Sequence, residues 1–460
     1  MASYIIKGGE KLEGIVKISG SKNAALPILA ATVLNVGKTT LYNVPNIQDT
    51  QMMFKILETL GGKVEKKNNK IIIDTSKINK FEIPEELMHK MRSSVILAGA
   101  LLGRYKKAIF SYPGGCDIGS RPIDLHLRSF EKLGINVVQN YGNIICDAEK
   151  IKGEKIDLDF PSVGATENAI LASVLAEGTT TITNAAREPE IIDLQNFLNK
   201  MGAKIIGAGT NEIRITGVKT LKDISYNIMP DRIETGTFLC LAVATKGNLI
   251  LENTNAEHIT PVITKLQEAE CKIEIEKNKI KINSNKKIKA LDIKTMPYPG
   301  FPTDMQSVFS AMLTTAKGTS IIVENIFENR FKYTQELNKM GAKITVEGKS
   351  AIIRGVRKLY GANVKATDLR GGAALVLAGL SAKGVTKEIK AKQYPYYNYN
   401  YELIEDNLKN IEIPKRINKK DTINILFIIP WMVTGGSDLF NLSLVKGLNK
   451  ERYEITIIST

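Results

Sequence analysis

A repeat of about 70 residues is the sequence feature that most constrains the fold. An apolar, helix-like run, a glycine and a β-rich run recur in that order, and the glycines are separated by 66, 75, 69, 71 and 66 residues. These glycines are Gly37, Gly103, Gly178, Gly247, Gly318 and Gly384. A unit of this size cannot bury its own apolar face, so neighbouring units must pack together. Six units predict two groups of three.

A second signature lies between these glycines. It is an amphipathic helix that ends in Leu-Gly or Met-Gly and leads into a strand, and the glycine is predicted to stop the helix in a left-handed conformation. The pairs are Leu60-Gly61, Leu133-Gly134, Met201-Gly202, Met340-Gly341 and the variant Ala269-Glu270. Alternating runs around polar turns predict hairpins at 63–74, 135–147, 204–215 and 272–282. Each unit therefore reads helix, strand, helix, hairpin.

The opening run 5–19 is predicted to be a hairpin with no helix before it. It would complete the unit left open at the C-terminal end, so that it pairs with the later half of the chain. Residues 21–230 would then form one lobe inserted into another built from 1–20 and 231–415, with 416–460 as an atypical tail. Two crossings between lobes make a hinge, and ligand is expected in the cleft.

Composition narrows the function classes. The formal charge of +15 comes from scattered lysines, which fits a solvated surface or steering of small anions. Outside 394–401 the chain lacks the alternating aromatic and basic residues of a nucleic-acid binder. The four cysteines are far apart and only three histidines are present, so neither a zinc site nor a disulfide framework is indicated. A reducing cytoplasm fits best. The N-terminus lacks a signal-peptide core, and the apolar run 423–429 is too short to span a bilayer.

The glycine-rich loop 111–126 brings a thiol, a cation and carboxylates together. Cys116 follows the strand-like run 107–112 and two glycines, so its backbone can turn freely. Arg121 could stabilise a thiolate or hold an anion beside it. From these residues alone, a reactive cysteine and an inert cysteine in a surface turn both remain open.

Seven motifs in order resemble the UDP-N-acetylglucosamine 1-carboxyvinyltransferase family over about residues 1–385. They are Ser-Gly-Ser-Lys-Asn-Ala-Ala-Leu-Pro at 19–27, Pro-Gly-Gly-Cys-Asp-Ile-Gly-Ser-Arg-Pro-Ile-Asp at 113–124, Pro-Ser-Val-Gly-Ala-Thr-Glu at 161–167, Pro-Asp-Arg-Ile-Glu-Thr-Gly at 230–236, Gly-Phe-Pro-Thr-Asp-Met-Gln at 300–306, Ile-Phe-Glu-Asn-Arg at 326–330 and Thr-Asp-Leu-Arg at 367–370. The sister family acting on shikimate phosphate fits less well, because the Cys116 loop and the Arg121-Pro-Ile-Asp run argue against it.

The resemblance implies an α/β fold of two lobes, each with three inside-out α/β units, and an enzyme. Its reaction moves the enolpyruvyl group of phosphoenolpyruvate to the 3-hydroxyl of UDP-N-acetylglucosamine and releases phosphate, which begins peptidoglycan precursor synthesis. The implied partners are these two small molecules, with no nucleic acid, membrane, metal or organic cofactor. The oligomeric state is left open.

The resemblance also implies roles for single residues. Cys116 would donate a proton to the methylene carbon, and Asp304 would accept the proton of the sugar hydroxyl. Taken alone, an aspartate in a Pro-Thr-Asp turn also predicts a helix N-cap. The phosphoenolpyruvate contacts would be Lys22, Asn23, Arg121 and Arg370. The nucleotide-sugar contacts would be Arg92, Arg121, Pro122, Ile123, Asp124, Leu125, Ser162, Val163, Asp304 and Ile326.

One histidine and one pair of glutamates are not assigned a catalytic role. His126 is interpreted as structural rather than catalytic. Glu188 and Glu190 suggest a carboxylate pair, but a strand-to-helix corner explains them equally well.

The C-terminal region departs from the family pattern. Tyr399 stands where the family keeps an arginine on the phosphoenolpyruvate side, so an alternative is a non-catalytic UDP-sugar-binding protein. The sixth unit is predicted to be degraded. The tail reads strand 423–429, a glycine-pair turn, helix 439–448 and strand 453–458, which resembles the start of a nucleotide-sugar glycosyltransferase and suggests a fusion fragment.

Overall fold

The computed structural model describes residues 3–89, 91–114, 123–140, 142–390, 423–429 and 453–459. Its α-helices are α1 (Lys22–Ala31), α2 (Gln48–Thr59), α3 (Glu85–Met88), α4 (Ile96–Tyr105), α5 (Asp124–Lys132), α6 (Val163–Ser173), α7 (Pro189–Lys200), α8 (Arg232–Thr245), α9 (Thr260–Glu268), α10 (Gln306–Leu313), α11 (Tyr333–Lys339) and α12 (Leu369–Ser381). Short 3-10 segments are Thr32–Leu34, Arg92–Val95, Ala256–Ile259 and Thr303–Met305.

The strands follow the repeat. They are β1 (Ser3–Gly8), β2 (Glu13–Lys17), β3 (Lys38–Tyr42), β4 (Lys63–Lys67), β5 (Lys70–Asp74), β6 (Lys107–Ser111), β7 (Asn136–Asn140), β8 (Asn143–Asp147), β9 (Lys155–Asp157), β10 (Thr179–Thr183), β11 (Lys204–Ile206), β12 (Glu212–Thr216), β13 (Ile224–Asn227), β14 (Asn248–Glu252), β15 (Lys272–Glu276), β16 (Lys279–Asn283), β17 (Asp292–Lys294), β18 (Thr319–Val323), β19 (Lys343–Glu347), β20 (Ser350–Arg354), β21 (Asn363–Ala366), β22 (Gly384–Lys390), β23 (Ile423–Ile429) and β24 (Tyr453–Ser459).

Six sheets share one plan. Their strand orders are β13-β3-β5-β4, β6-β8-β7, β9-β10-β12-β11, β2-β14-β16-β15, β17-β18-β20-β19 and β21-β22-β1. The four predicted hairpins are confirmed, and β19 with β20 adds a fifth. Five of the six sheets also carry an edge strand parallel to the central one, which the repeat pattern missed. These strands are short, as with β9 and β17 of three residues each, so they leave little alternation to detect.

The prediction of a hairpin over 5–19 is wrong. β1 runs antiparallel to β22, with Ile5 opposite Lys387, whereas β2 runs parallel to β14, with Ile15 opposite Ile250. The two strands therefore lie in different sheets, because each fills a position that the later half of the chain leaves open. The expected pairing of the opening run with that half is confirmed by the same registers.

Apolar helices form the interior and the sheets surround them. In α12 every residue from Gly371 to Leu380 is buried, and the helix contains no charged residue after Arg370. Small residues let such helices approach closely: a Cβ on Gly99 of α4 would lie 2.6 Å from the Asn168 carbonyl oxygen of α6. A helix that is apolar on all sides must be buried on all sides, so these helices pack on each other rather than on one sheet.

Within the described part of the chain, the buried apolar side chains form two clusters. We call residues 24–229 the inserted core, and residues 4–18 with 233–382 the outer core. The chain passes between the cores through 19–23 and 230–232. The two passages are hydrogen bonded to each other, from the Ser21 amide to the Met229 carbonyl at 2.8 Å and from the Asp231 amide to the Ser19 carbonyl at 2.9 Å.

The second repeat signature is confirmed at every position. Gly61, Gly134, Gly202 and Gly341 have φ angles of 106°, 79°, 108° and 91°, and Glu270, the variant, also adopts a left-handed φ of 68°. The backbone plan of the repeat therefore holds even where the glycine is absent.

Replacing Glu270 with glycine is expected to stabilise the protein by about 0.5–1 kcal/mol. The left-handed conformation costs a residue with a Cβ about 1–2 kcal/mol, and the greater unfolded-state entropy of glycine offsets part of the gain. The exposed ion pair between Glu270 and Lys289 at 2.7 Å contributes little. Urea unfolding measures the change. Glu270→Ala keeps the strained backbone and should show no gain; an equal gain in both variants would contradict the explanation.

The tail is described only in its strands. β23 and β24 pair in parallel, with Ile423 opposite Tyr453, and this confirms the two strands expected there. The predicted helix 439–448 and the degraded sixth unit after residue 390 lie outside the described residues, as does Tyr399. No helix in the described part of the chain is both long and apolar enough to cross a membrane.

Candidate active site

Asp304 lies between two arginines. Its Oδ1 accepts a hydrogen bond from Arg330 Nη2 at 2.6 Å, and its Oδ2 accepts one from Arg370 Nη2 at 2.9 Å. Asp304 comes from the 3-10 turn before α10, Arg370 from the first turn of α12, and Arg330 from the segment before α11. Asp304 and Arg330 belong to one repeat unit of the outer core and Arg370 to the next, so two units bring their charges to one place.

The charges around Asp304 decide its protonation. Burial by itself would raise the pKa of this carboxyl, but the guanidinium charges of Arg370 and Arg330, with a smaller effect from Lys22, hold the pKa well below its usual range. The group is therefore an anion in this state and a weak proton acceptor. Displacing the arginines onto another anion would make it more basic.

The interpretation of Asp304 as an N-cap is wrong. The residues at the cap positions of the 3-10 turn and of α10 are Pro302 and Met305, and neither makes a side-chain cap hydrogen bond. Both carboxylate oxygens of Asp304 face arginines instead, because an ion pair with two guanidiniums outcompetes a single backbone amide. The turn still serves as a rigid mount for the carboxylate.

A buried glutamate that the sequence reasoning missed holds the predicted Ile326 beside Asp304. Glu324 is 1% exposed and accepts hydrogen bonds from the hydroxyls of Thr295 and Thr303, both at 2.9 Å. It also accepts from the Ile326 amide at 2.8 Å. Because Thr303 precedes Asp304, one carboxylate fixes both segments relative to each other.

Lys22 and Asn23 lie in the first turn of α1, at the end of the first chain passage. The Lys22 ammonium pairs with Asp49 of α2 at 3.1 Å, and the Lys22 charge also lowers the Asp304 pKa. Lys22 and Asp304 therefore lie near each other although one follows the crossing and the other belongs to the outer core. The charges of Lys22, Asp304 and Arg370 thus act on one another in the structure.

The described residues of the inserted core that are predicted to contact the nucleotide sugar lie at helix starts. Ile123 is the cap residue of α5, and Asp124 and Leu125 follow in its first turn. Ser162 caps α6, accepting from the Ala165 amide at 3.4 Å, and Val163 is the first residue of that helix. Helix N-termini attract anions such as a diphosphate.

His126 holds this group of helix starts together. It is 7% exposed, and its Nδ1 accepts a hydrogen bond from Asn168 Nδ2 at 2.7 Å. The Asn168 amide also donates to the Val95 carbonyl at 3.1 Å, in the 3-10 segment that begins with Arg92. These contacts fit the structural interpretation of His126.

Three of the predicted site residues, Cys116, Arg121 and Pro122, lie outside the described residues. Their flanks are described: β6 ends at Ser111, and α5 begins at Asp124. The loop thus connects β6, an edge strand of the sheet β6-β8-β7, to the helix start that carries the predicted nucleotide-sugar contacts.

Glu190 is half of a buried ion pair that the sequence reasoning did not find. Arg232 Nε donates to its two carboxylate oxygens at 2.9 and 3.2 Å, and the side chains are 8% and 2% exposed for Arg232 and Glu190. Glu188 lies at the cap position of α7 without a side-chain cap hydrogen bond, and burial raises its pKa. The two glutamates thus have different roles: Glu190 joins α7 of the inserted core to α8 of the outer core.

The unfolding free energy contributed by Asp193 is expected to fall by up to about 3 kcal/mol between pH 4 and pH 7. Burial raises the pKa of this carboxyl to about 6, although hydrogen bonds from the Tyr226 hydroxyl and the Met229 amide oppose the rise. A raised folded-state pKa gives stability that is complete below the unfolded value near 3.9 and is lost as pH rises through about 6. Denaturant unfolding of wild type and Asp193→Asn at several pH values measures the difference. A constant difference across this window would contradict it.

The chain matches known proteins in sequence and in fold. Residues 6–408 match the family model of EPSP synthase (3-phosphoshikimate 1-carboxyvinyltransferase). The crystal structure of the enolpyruvyl transferase NikO from Streptomyces tendae superposes with a TM-score of 0.77 at 23% identity, covering 84% of this chain and 93% of that one. EPSP synthase from Acinetobacter baumannii gives 0.67 at 18% identity, covering 84% and 94%. The fold is that of the enolpyruvyl transferases, so the predicted fold class is confirmed.

Relatives of higher sequence identity show which family of enolpyruvyl transferases the chain belongs to. UDP-N-acetylglucosamine 1-carboxyvinyltransferase 2 of Caldanaerobacter subterraneus subsp. tengcongensis is 52% identical over 412 residues, which is 89% of this chain and 98% of that protein. The protein of the same name in Carboxydothermus hydrogenoformans is 51% identical over 413 residues, with the same coverage. The chain belongs to the UDP-N-acetylglucosamine 1-carboxyvinyltransferase family. The resemblance predicted over about 1–385 is confirmed, and the family match continues to residue 408.

Proposed function

We propose that this protein transfers the enolpyruvyl group of phosphoenolpyruvate to the 3-hydroxyl of UDP-N-acetylglucosamine, in peptidoglycan precursor synthesis. Membership of a family whose curated relatives carry that name supports the activity. The single structural observation that carries it is the Asp304 carboxylate held between Arg330 and Arg370, with Lys22 nearby. This arrangement supplies a base and an anion-binding group at one place.

The chemistry assigns each group a task. Asp304 takes the hydroxyl proton while the sugar oxygen bonds to the central carbon of phosphoenolpyruvate, and Cys116 gives a proton to the methylene carbon, which becomes a methyl group. Loss of phosphate and of a methyl proton then restores the double bond. Fixed cations stabilise the phosphate and carboxylate throughout, and we assign this to Lys22, Arg121 and Arg370, with Asn23 as a neutral contact.

The arrangement of Asp304 adds a condition to this mechanism. Both of its oxygens are occupied by guanidiniums, which hold its pKa low. The anionic groups of phosphoenolpyruvate would compete for those guanidiniums and draw them away. Substrate binding would therefore convert Asp304 from an ion-pair partner into a base.

We propose that the two cores correspond to lobes of residues 21–230 and of 1–20 with 231–415. The limits of the two buried clusters support this division. The nucleotide sugar would bind the inserted lobe through Arg92, Arg121, Pro122, Ile123, Asp124, Leu125, Ser162 and Val163, and the other lobe through Asp304 and Ile326. Lobe closure would bring these two groups of contacts onto one ligand.

We also place the protein in the cytoplasm and the tail 416–460 outside the transferase unit. Cys146, Cys240 and Cys271 are buried free thiols, which suits a reducing compartment. The family match ends at residue 408, before the tail begins. A fused fragment remains our interpretation of that tail.

The test is phosphate release by the full-length chain with phosphoenolpyruvate and UDP-N-acetylglucosamine, beside a Cys116→Ala variant. Release that requires the sugar and is lost in the variant supports the transferase. Calorimetry with UDP-N-acetylglucosamine runs in parallel. Binding without release would contradict the proposal and favour the non-catalytic alternative based on Tyr399.

A further inference from the structure

The crossing between the two cores is a short, tightly bonded structure. Gly20 and Pro230 form an antiparallel bridge, flanked by the two backbone hydrogen bonds of the passages. Gly20 has no alternative here, because a Cβ would lie 1.7 Å from the Asn43 carbonyl oxygen. A side chain that acts at this crossing acts on the position of one core relative to the other.

Asp231 makes contacts on both sides of the crossing. Its Oδ1 accepts hydrogen bonds from the amides of Ile233 and Glu234 at 2.8 and 2.9 Å and so caps α8 of the outer core. Its Oδ2 accepts from the Lys22 amide at 3.1 Å, in the first turn of α1 of the inserted core. One carboxylate therefore serves the N-termini of two helices from different cores.

The link to α1 is additional to that helix's own cap. Ser21 already accepts a hydrogen bond from the Ala24 amide at 3.3 Å. A comparable aspartate at the start of α12, Asp368, accepts from the amides of its own helix at Arg370 and Gly371 and makes its other side-chain bond with the adjacent Thr367. Neither the cap of α1 nor that of α8 therefore requires the hydrogen bond between Asp231 and the Lys22 amide.

The charge of the same carboxylate also acts on Arg370, one of the predicted phosphoenolpyruvate contacts. Burial lowers the pKa of the Arg370 guanidinium, while the negative charges of Asp304 and then Asp231 raise it. Asp231 is thus near Arg370 as well as bonded to the backbone of Lys22. The two cations come from different cores, and Asp231 is bonded to the backbone of one while its charge acts on the other.

We propose that Asp231 is a positioning residue for phosphoenolpyruvate: with one carboxylate it caps α8 and accepts from the first turn of α1, and it so sets the position of Lys22 relative to Arg370. This rests on the proposed function. Lys22 moves with the first turn of α1, so release of its amide from Asp231 would misplace its ammonium. Misplacement of a substrate-binding group by about 1 Å can lower the rate about 100-fold.

Asp231→Asn separates the two halves of this arrangement. The asparagine oxygen can still accept from the Ile233 and Glu234 amides, whereas its NH₂ group would meet the Lys22 amide donor to donor. We expect kcat/KM for phosphoenolpyruvate to fall about 10- to 100-fold. KM for UDP-N-acetylglucosamine should stay within about twofold, because its proposed contacts are elsewhere.

The matched control is Asp223→Asn. Asp223 is an exposed aspartate, and its Oδ1 accepts from the Lys38 amide and from Asn35 Nδ2, both at 2.8 Å, so the substitution makes the same charge change at another inter-segment contact. It should leave both KM values within about twofold. Asp231→Ser can cap α8 but is too short to reach Lys22, so it should reproduce the effect of Asp231→Asn. It is the variant to use if Asp231→Asn does not fold.

A second readout is independent of turnover. Phosphoenolpyruvate, with UDP-N-acetylglucosamine present, should raise the melting temperature of wild type and of Asp223→Asn by more than that of the Asp231 variants. Equal melting shifts and unchanged kcat/KM in the Asp231 variants would overturn the inference, as would an equal loss for both substrates. Failure of the proposed function is distinct, because wild type itself would then release no phosphate.

Discussion

Asp304→Asn is expected to lower kcat about 1,000-fold while UDP-N-acetylglucosamine still binds. The amide cannot accept the hydroxyl proton, and general base catalysis is worth about 10²- to 10⁴-fold. The loss should lie in kcat, because asparagine keeps the size and one acceptor oxygen of the original side chain. Steady-state phosphate release and calorimetric titration with the nucleotide sugar measure the two quantities.

Glu336→Gln is the matched control for that experiment. Glu336 is a buried carboxylate of the same core that pairs with Lys339 at 2.8 Å and accepts from the Lys365 amide at 3.0 Å, away from Asp304. We expect kcat within about twofold of wild type. Retention of more than a tenth of the wild-type kcat by Asp304→Asn would show that Asp304 is not the base.

Glu190→Leu is expected to lower the free energy of unfolding by about 3–5 kcal/mol, because it leaves the Arg232 guanidinium buried without its partner. Arginine cannot lose its charge by deprotonation in a protein. Arg232→Met should cost less, since the remaining Glu190 carboxyl can become neutral by taking up a proton. Denaturant unfolding at one pH gives the ranking.

The double variant Glu190→Leu, Arg232→Met provides the control. Replacing both members of a buried ion pair by apolar residues is often neutral, so we expect most of the single-variant losses to be recovered. Losses that simply add would show that the pair makes no direct contribution. A smaller loss for Glu190→Leu than for Arg232→Met would contradict the asymmetry argued from protonation.

Local rules allowed much of the fold to be predicted. The helix stops depend on a few adjacent residues, and even Glu270 keeps the left-handed backbone that the glycine rule requires. The three-residue edge strands and the separation of β1 from β2 could not be predicted in this way. Strand partners far apart in sequence are chosen by tertiary packing, which periodicity does not record.

The candidate site shows the same division. Motif resemblance pointed to Lys22, Asp304 and Arg370, and the structure brings these charges together. The resemblance gave no role to Arg330, although this residue is the last of the motif at 326–330. It also gave no partner for Glu190. Ion pairs between distant segments have no signature in either segment alone, so Arg232 could not be matched to Glu190 before the fold was known.

The pairing of β1 with β22 has a consequence for folding during synthesis. Residues 24–229 can bury their apolar side chains once that stretch has left the ribosome, whereas β1 has no partner until β22 at 384–390 emerges. Residues 3–8 are therefore made before the inserted core but ordered after it. Closing a loop of this length is slow compared with local pairing, so residues 3–8 should stay open to proteases and chaperones until residues 384–390 have emerged.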